Sequence, residues 1–455
     1  MGRRAVVIGS GPNGLVAAIE LARAGLAVEV HEAAEEAGGG LRSAELTLPG
    51  FVHDVCSAIH PLAVASPVLR DLDVEWVHPD APLAHPLDDG TAVVLERSLD
   101  ETARQLGRDG PGYRKLIGPF LEAWPQLSEL RVLRAAFHLG MRPQLAALAA
   151  AEPLARRRFH DERARSLFAG NAAHSMLPLE RRPSAGFALA LLVMGHAVGW
   201  PYPRGGARRL AEALVARLAE LGGEVRTSTP VDALPAADLV LADVAPRELA
   251  RIARGRLPAR YAAALRRYRH GPGAFKVDWA LSEPIPWRAP GVARAGTVHL
   301  GGTLAQIALS EREPWAGRPA ERPFVLLAQQ GRFDPSRGQT AWAYCHLPNG
   351  SAVDMTERIE SQVERFAPGF RDVVLARHSM GPAALEAHNR SLVGGDLNNG
   401  AMDLGQLLFR PTRRLVPYRT PLDGVYLCSA ATPPGGGVHG LCGYIAARVA
   451  LRSLR

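Results

Sequence analysis

The sequence predicts an α/β protein: a discontinuous nucleotide-binding domain on a parallel sheet, interrupted by an α+β second domain. Three stretches carry that prediction, one near each end of the chain and one in the middle. The first reads Arg4-Ala-Val-Val-Ile-Gly9-Ser-Gly11-Pro12-Asn13-Gly14, continues through a helical run, and ends in Ala27-Val-Glu-Val-His-Glu32. A short apolar strand enters Gly9, Gly11 lets the backbone approach a pyrophosphate, and Gly14 lets the next helix pack closely on the strand. That helix, expected over 14–24, aims its free N–H groups and positive dipole end at the phosphates, and Pro12 and Asn13 of the turn before it count with the cofactor-binding residues. Glu32 ends the second strand 18 residues after Gly14, where a carboxylate accepts hydrogen bonds from ribose hydroxyls. Strand, glycines, helix, strand and acid in register make a Rossmann-type dinucleotide site.

A second glycine-rich turn follows, Gly38-Gly39-Gly40-Leu-Arg42, which a nicotinamide-only domain does not need. Its glycines let the chain pass tightly against a diphosphate that Arg42 neutralises. This is the pattern of an FAD site of the glutathione-reductase type. In the middle, Tyr202-Pro-Arg-Gly205-Gly206 leads into Leu210, Leu214, Leu218 and Leu221 at helical spacing. A short strand near 224–227 and a buried one over 237–243, ending at Asp243, extend the parallel sheet. At the end, Val425 to Cys428 reads as a strand, Gly435-Gly436-Gly437 as a turn, and 440–451 as a helix whose N-terminus faces the flavin.

These strings resemble the amine oxidase and phytoene desaturase superfamily, in which an acid is followed by a Gly-Gly pair and then usually an arginine. Gly40 stands at that arginine position here; Arg42 either replaces it or lies on the surface. The phytoene desaturase branch has Ala-Gly-Thr where this chain has Ala430-Ala431-Thr432, and a proline where this chain has His439. The resemblance covers the whole chain and is strongest to the non-carotenoid branch of the pyridine nucleotide-disulfide oxidoreductase domain-containing proteins. It implies FAD held by the first glycine turns together with Val231, through its backbone at the adenine, and Ala430, Thr432, Gly437, Val438 and His439. The expected FAD domain comprises 1–70, 203–256 and 415–455. The substrate domain, with a helical cap, comprises 71–202 and 257–414.

Two residues are candidates for chemistry. Lys276, in the alternating strand after Gly273, is one of only two lysines in the chain. Amine oxidases carry a lysine at a similar strand position that holds a water by the flavin N5, so Lys276 orients a water or accepts a proton there. Alternatively it pairs with Asp278, which strand alternation places on the same face. His439 either brings an imidazole to the isoalloxazine or caps the helix that follows.

Composition narrows the rest. The chain has 53 basic and 45 acidic residues, but the arginines are scattered without interleaved aromatics, which argues against nucleic-acid binding. Cys56, Cys345, Cys428 and Cys442 show no CxxC or metal-ligand spacing, so a redox dithiol, a metal and a disulfide framework are not expected. With the strand starting at Arg4 and the longest apolar stretch, Gly186 to Trp200, broken by Gly195 and His196, neither a leader nor a membrane span is expected. A cytoplasmic protein is the expectation, either free or in peripheral contact with a membrane. Arginine-bearing apolar faces such as Leu130 to Leu148 suit a packed cap, a subunit contact or a membrane-facing surface. The turn-rich stretch 394–411 lines a substrate entrance or simply connects the domains.

The expected activity is FAD-dependent desaturation or dehydrogenation, with hydride removed from a C–C bond of an apolar or natural-product small molecule. An amine oxidase acting on a C–N bond and a redox-neutral flavin-dependent isomerase are the alternatives. The electron acceptor is not selected by any residue.

Overall fold

The computed structural model describes residues 2–129, 134, 136 and 139–454. Five strands form a parallel sheet in the order Val425–Leu427, Leu239–Ala242, Arg4–Ile8, Ala27–His31, Glu224–Arg226. The strands Leu239–Ala242 and Arg4–Ile8 at its centre are apolar on both faces because helices cover both, whereas Ala27–His31 carries Glu29 and His31 on one face. Ala5, Val7, Leu239, Leu241 and Tyr426 pack beneath the helices Pro12–Arg23, Arg208–Glu220 and Leu441–Arg452. The alternating residues Ile8, Val240, Ala242, Val425 and Leu427 pack against Pro246–Ile252 and Ala259–Arg266. Period-two alternation thus builds two cores from one sheet. Every strand of this sheet comes from the first, middle or last part of the chain.

The second sheet has seven strands, in the order Val374–Met380, Gly273–Leu281, Thr340–Leu347, Val325–Ala328, Ala295–Leu300, Ala81–Pro86, Ala92–Leu95. It is antiparallel except where Ala295–Leu300 runs parallel to Ala81–Pro86. One face packs Val277, Val298, Leu327 and Ala343 against Ile359, Val363 and Phe366 of the helix Thr356–Phe366. The other face supplies cavity wall from its centre.

Helices of the cap, among them Gly110–Glu122, Glu162–Ala173 and Ser184–Ala197, enclose a core with Leu116, Ile117, Phe168, Leu189 and Leu192. The broken apolar stretch of the sequence is therefore largely the helix Ser184–Ala197, buried inside the cap as a helix apolar on most sides must be. Much of the Leu130–Leu148 amphipathic stretch lies outside the described residues; its described end, Met141–Ala147, is a helix with Met141 and Leu145 exposed. No helix of the described residues is long and apolar enough to cross a membrane.

Candidate active site

The glycine positions show what the first turn is built to hold. Gly9 has φ +95°, and a Cβ on Gly14 would stand 2.1 Å from the Gly9 carbonyl oxygen, so helix and strand touch. Gly14 is thus a packing glycine, not part of the cavity wall. Gly39 presses on Gly11 from the second turn, since its Cβ would lie 3.0 Å from the Gly11 Cα. The two glycine turns form one cradle, and side chains at either position would fill it.

Glu32 is fixed from below. Its Oε2 accepts from the Ser10 N–H at 2.9 Å and the Ser10 hydroxyl at 2.6 Å, and its Oε1 accepts from the Ala34 N–H at 2.9 Å. Oε1, with one bond, keeps lone-pair capacity for a ribose hydroxyl. Ser10 Oγ also accepts from the Gly38 N–H at 3.0 Å and so ties the second turn to the acid. Gly38 itself, at φ +116°, abuts Ala211 rather than the cavity. Arg42 lies in the cavity wall, its Nε donating to the Gly39 carbonyl at 3.0 Å and its Nη2 to the His388 carbonyl at 2.9 Å.

Asp243 is the residue that sequence reasoning left without a role. Its Oδ2 accepts the Gly14 N–H at 2.9 Å, and a Cβ on Gly11 would come within 2.7 Å of the same oxygen. Burial pushes its carboxyl up to about 7, the Glu32 charge adds to that rise, and the Gly14 bond opposes it. With Pro12 lacking an N–H and Gly14 already engaged, Asn13 is the first of these helix residues whose N–H remains for a phosphate. The available signal was position: an acid ending the parallel strand beside the fingerprint strand.

A cavity of about 1450 Å³ runs from these turns into the second domain. Gly9, Gly11, Pro12, Asn13, Glu32, Gly39, Gly40 and Arg42 line it, as do Val231, Ala430, Gly437, Val438 and His439. Its volume exceeds the roughly 300–1,000 Å³ of single small-ligand pockets, which suits a dinucleotide with a second molecule beside it. Thr432 is fully buried behind the wall, its hydroxyl donating to the Ser429 carbonyl at 2.8 Å. Asn13 Oδ1 is buried and has no hydrogen-bond partner among the described residues. That orphaned acceptor and the glycine cradle are the features a bound diphosphate-ribityl chain with hydroxyl donors would satisfy. The dinucleotide these residues fit is FAD.

Residues 7–73 match the NAD(P)-binding Rossmann-like domain family. The Mus musculus protein "pyridine nucleotide-disulfide oxidoreductase domain-containing protein 2" is 28% identical in an alignment covering 99% of this chain and 94% of that one. The chain is thus similar over nearly its whole length to that protein, and its Rossmann-like domain fits FAD. Hydroxysqualene dehydroxylase of Rhodopseudomonas palustris is 54% identical over a short stretch, 12% of this chain and 13% of its own. A solved structure of putrescine oxidase bound to putrescine shares the fold, with a TM-score of 0.63 at 17% identity, over 100% of this chain and 99% of that one.

The two residues proposed for chemistry sit differently from each other. His439 lines the cavity, but both ring nitrogens are engaged. Nδ1 accepts the Leu441 N–H at 3.0 Å, so the ring proton is on Nε2, which donates to the Gly435 carbonyl at 3.1 Å. Burial depresses its pKa to about 4, leaving a neutral cap on the helix Leu441–Arg452. Lys276 is buried and is not part of the cavity wall. Its ammonium donates to the Asp54 carbonyl at 2.8 Å and the Val55 carbonyl at 2.9 Å, and Nζ stands 3.0 Å from Asp278 Oδ1 as an ion pair. The centroid of the cavity-lining Trp342 ring lies 5.8 Å from Nζ. The ion pair with Asp278 that alternation anticipated is present.

Strand register brings together cavity residues that no motif announced. Lys276 faces Tyr344, Tyr344 faces Leu326, and Leu326 faces His299 across neighbouring strands; one pleat away, Asp278, Trp342, Ala328 and Thr297 form a parallel row. Trp342 and Tyr344 stack with centroids 5.3 Å apart at 24° and both line the cavity. The stretch 394–411 also contributes wall, through Leu397, Asn398, Met402 and Leu407.

Proposed function

We propose that this oxidoreductase dehydrogenates a C–C bond of an uncharged, largely apolar small molecule. The observation that supports it is the division of charge along the cavity. Glu32, Arg42, Asp243, Glu248 and Arg251 belong to the dinucleotide elements or adjoin them, and Arg390 is exposed. The remaining wall carries no carboxylate, and Phe187, Leu191, Trp200, Leu326, Trp342 and Tyr344 give it an apolar and aromatic lining beside neutral polar groups such as Thr297 and Asn398. An ammonium there would find no carboxylate to offset its desolvation. The Trp342 and Tyr344 rings stack directly on each other, which leaves no slot between them for an amine.

FAD, when bound, supplies the hydride acceptor. The chain's residues supply placement: the glycine cradle and Glu32 fix the dinucleotide, and the aromatic sheet face excludes water from the reacting bond. Lys276 acts as a positioning residue, its ammonium joining the 54–55 segment to the second sheet beneath Trp342 and Tyr344. His439 holds the C-terminal helix against the cavity. At the cavity mouth, Leu148 and Leu408 are exposed beside further exposed apolar residues, Met141, Leu145, Phe409 and Leu415, with Arg413 and Arg414 adjoining. This rim suits peripheral contact with an anionic bilayer from which an apolar substrate enters.

Anaerobic mixing of the holoprotein with saturated isoprenoid and acyl compounds, and separately with primary amines, tests the proposal. Loss of the visible flavin absorbance with an uncharged apolar compound is expected; loss with amines alone overturns it.

A further inference from the structure

The sheet row that begins at Lys276 ends in a second polar group. Three cross-strand steps separate Lys276 from His299, about 14 Å at the usual spacing of sheet strands. His299 is wholly buried, and its Nε2 lies 3.0 Å from Nε2 of His174, the residue that ends the cap helix Glu162–Ala173. Gly170 makes room for the pair, since a Cβ there would stand 2.6 Å from His299 Nδ1. His174 lines the cavity, edge-on to Trp200 with centroids 5.6 Å apart. Trp200 and Phe324 also stand beside His299, with centroids 5.9 Å and 5.3 Å away.

One hydrogen bond joins the two Nε2 atoms, so one of them carries the proton. His299 Nδ1 decides which, because it is buried without a partner among the described residues. A proton there would make it an orphaned buried donor, which is rarer in folded proteins than an unfilled acceptor. His299 therefore keeps its proton on Nε2 and donates to His174 Nε2, and the His174 proton sits on Nδ1. That Nδ1–H has no partner among the described residues. Burial depresses both rings, His174 to about 3, so the pair is neutral in the physiological range.

We propose that the Nδ1–H of His174 is the hydrogen-bond donor that fixes the oxygen of an otherwise apolar, uncharged substrate: a ketone, ester or alcohol. This rests on the apolar-substrate function above and sharpens it. An acceptor oxygen would satisfy a donor that the fold leaves open, whereas a cation would meet only another positive dipole end. A carboxylate would meet no full positive charge among the rings of His174, Trp200, His299 and Phe324. A neutral imidazole is the right donor for a carbonyl, because it polarises the oxygen without first losing a charge. His299 sets which nitrogen of His174 presents the proton.

The test compares a saturated isoprenoid hydrocarbon with the ketone of the same skeleton, using the perturbation of the bound flavin spectrum to measure each Kd. The holoprotein should bind the ketone about fivefold to tenfold more tightly, as one neutral hydrogen bond allows. In His174→Phe that preference should vanish, the two Kd values becoming about equal. His174→Gln, which keeps an N–H donor, should recover part of it, and retained flavin in each variant reports an intact fold. An equal ketone preference in His174→Phe, or none in the parent protein, overturns the assignment to His174 and leaves the apolar-substrate function standing. Failure of both compounds to bind the parent overturns that function and the inference with it.

Discussion

The two ends of the cavity are built in opposite ways. At the dinucleotide end the backbone makes the site: Gly11 and Gly39 approach within what a Cβ would occupy, and Glu32 is held by N–H groups and one hydroxyl. At the substrate end side chains make it, with Trp342, Tyr344, Leu326 and His174 arriving from separate strands and a cap helix. The first kind of site tolerates almost no change of residue type at a few positions. The second spreads its demands over many positions, none of which is individually compelling.

Gly11→Val should break the dinucleotide end outright. Its side chain must displace Asp243 Oδ2 and enters the cradle, so the purified protein should carry no flavin; a flavin-to-protein ratio equal to that of the parent would contradict the cradle. The substrate end should answer differently to Lys276→Met. Removing one partner of the buried pair leaves Asp278 uncompensated, at a cost of about 3–5 kcal/mol in denaturant unfolding. Adding Asp278→Leu should recover much of that loss. An unchanged unfolding midpoint with slowed flavin reduction would instead return Lys276 to the chemistry.

Acid should loosen the fold on both sides of the cavity. His53, His60, His85 and His196 are depressed by burial from 6.5 to about 4. Below pH 6.5 the unfolded chain therefore binds more protons than the folded one, and stability falls as pH drops toward 4. Denaturant midpoints measured between pH 7 and 4 should fall steadily; a flat profile would mean these rings are not buried as neutral species. The smallest effect is expected for His439→Phe, which loses a helix-terminal acceptor worth about 1 kcal/mol. Its flavin reduction rate should not change, and a large drop would make the imidazole part of the chemistry.

This contrast explains what was legible in the sequence. The parallel sheet, its helices and the glycine turns follow from local demands within Arg4–Arg42 and again around Gly435–Gly440, so residue types alone expose them. Asp243 was visible as an acid ending a strand, but its grip on the Gly14 N–H spans 229 positions of sequence. Lys276 and Asp278 share a face by simple alternation, whereas the oxygens of Asp54 and Val55 that complete the ammonium's shell come from a different segment. His439 was legible as a histidine before a helix; only the bonds to Leu441 and Gly435 show that both nitrogens are engaged. The pairing of His174 with His299 depends on a cap helix crossing a strand, and nothing in either local sequence announces it.

The central claim is that the uncharged end of the cavity presents a C–C bond for dehydrogenation. Mass analysis of the product formed from whichever compound reduces the bound flavin tests it most directly. A product two hydrogens lighter, with a new C=C bond and every heteroatom retained, is the predicted result. An unchanged mass, or an aldehyde and ammonia released from an amine, would contradict it.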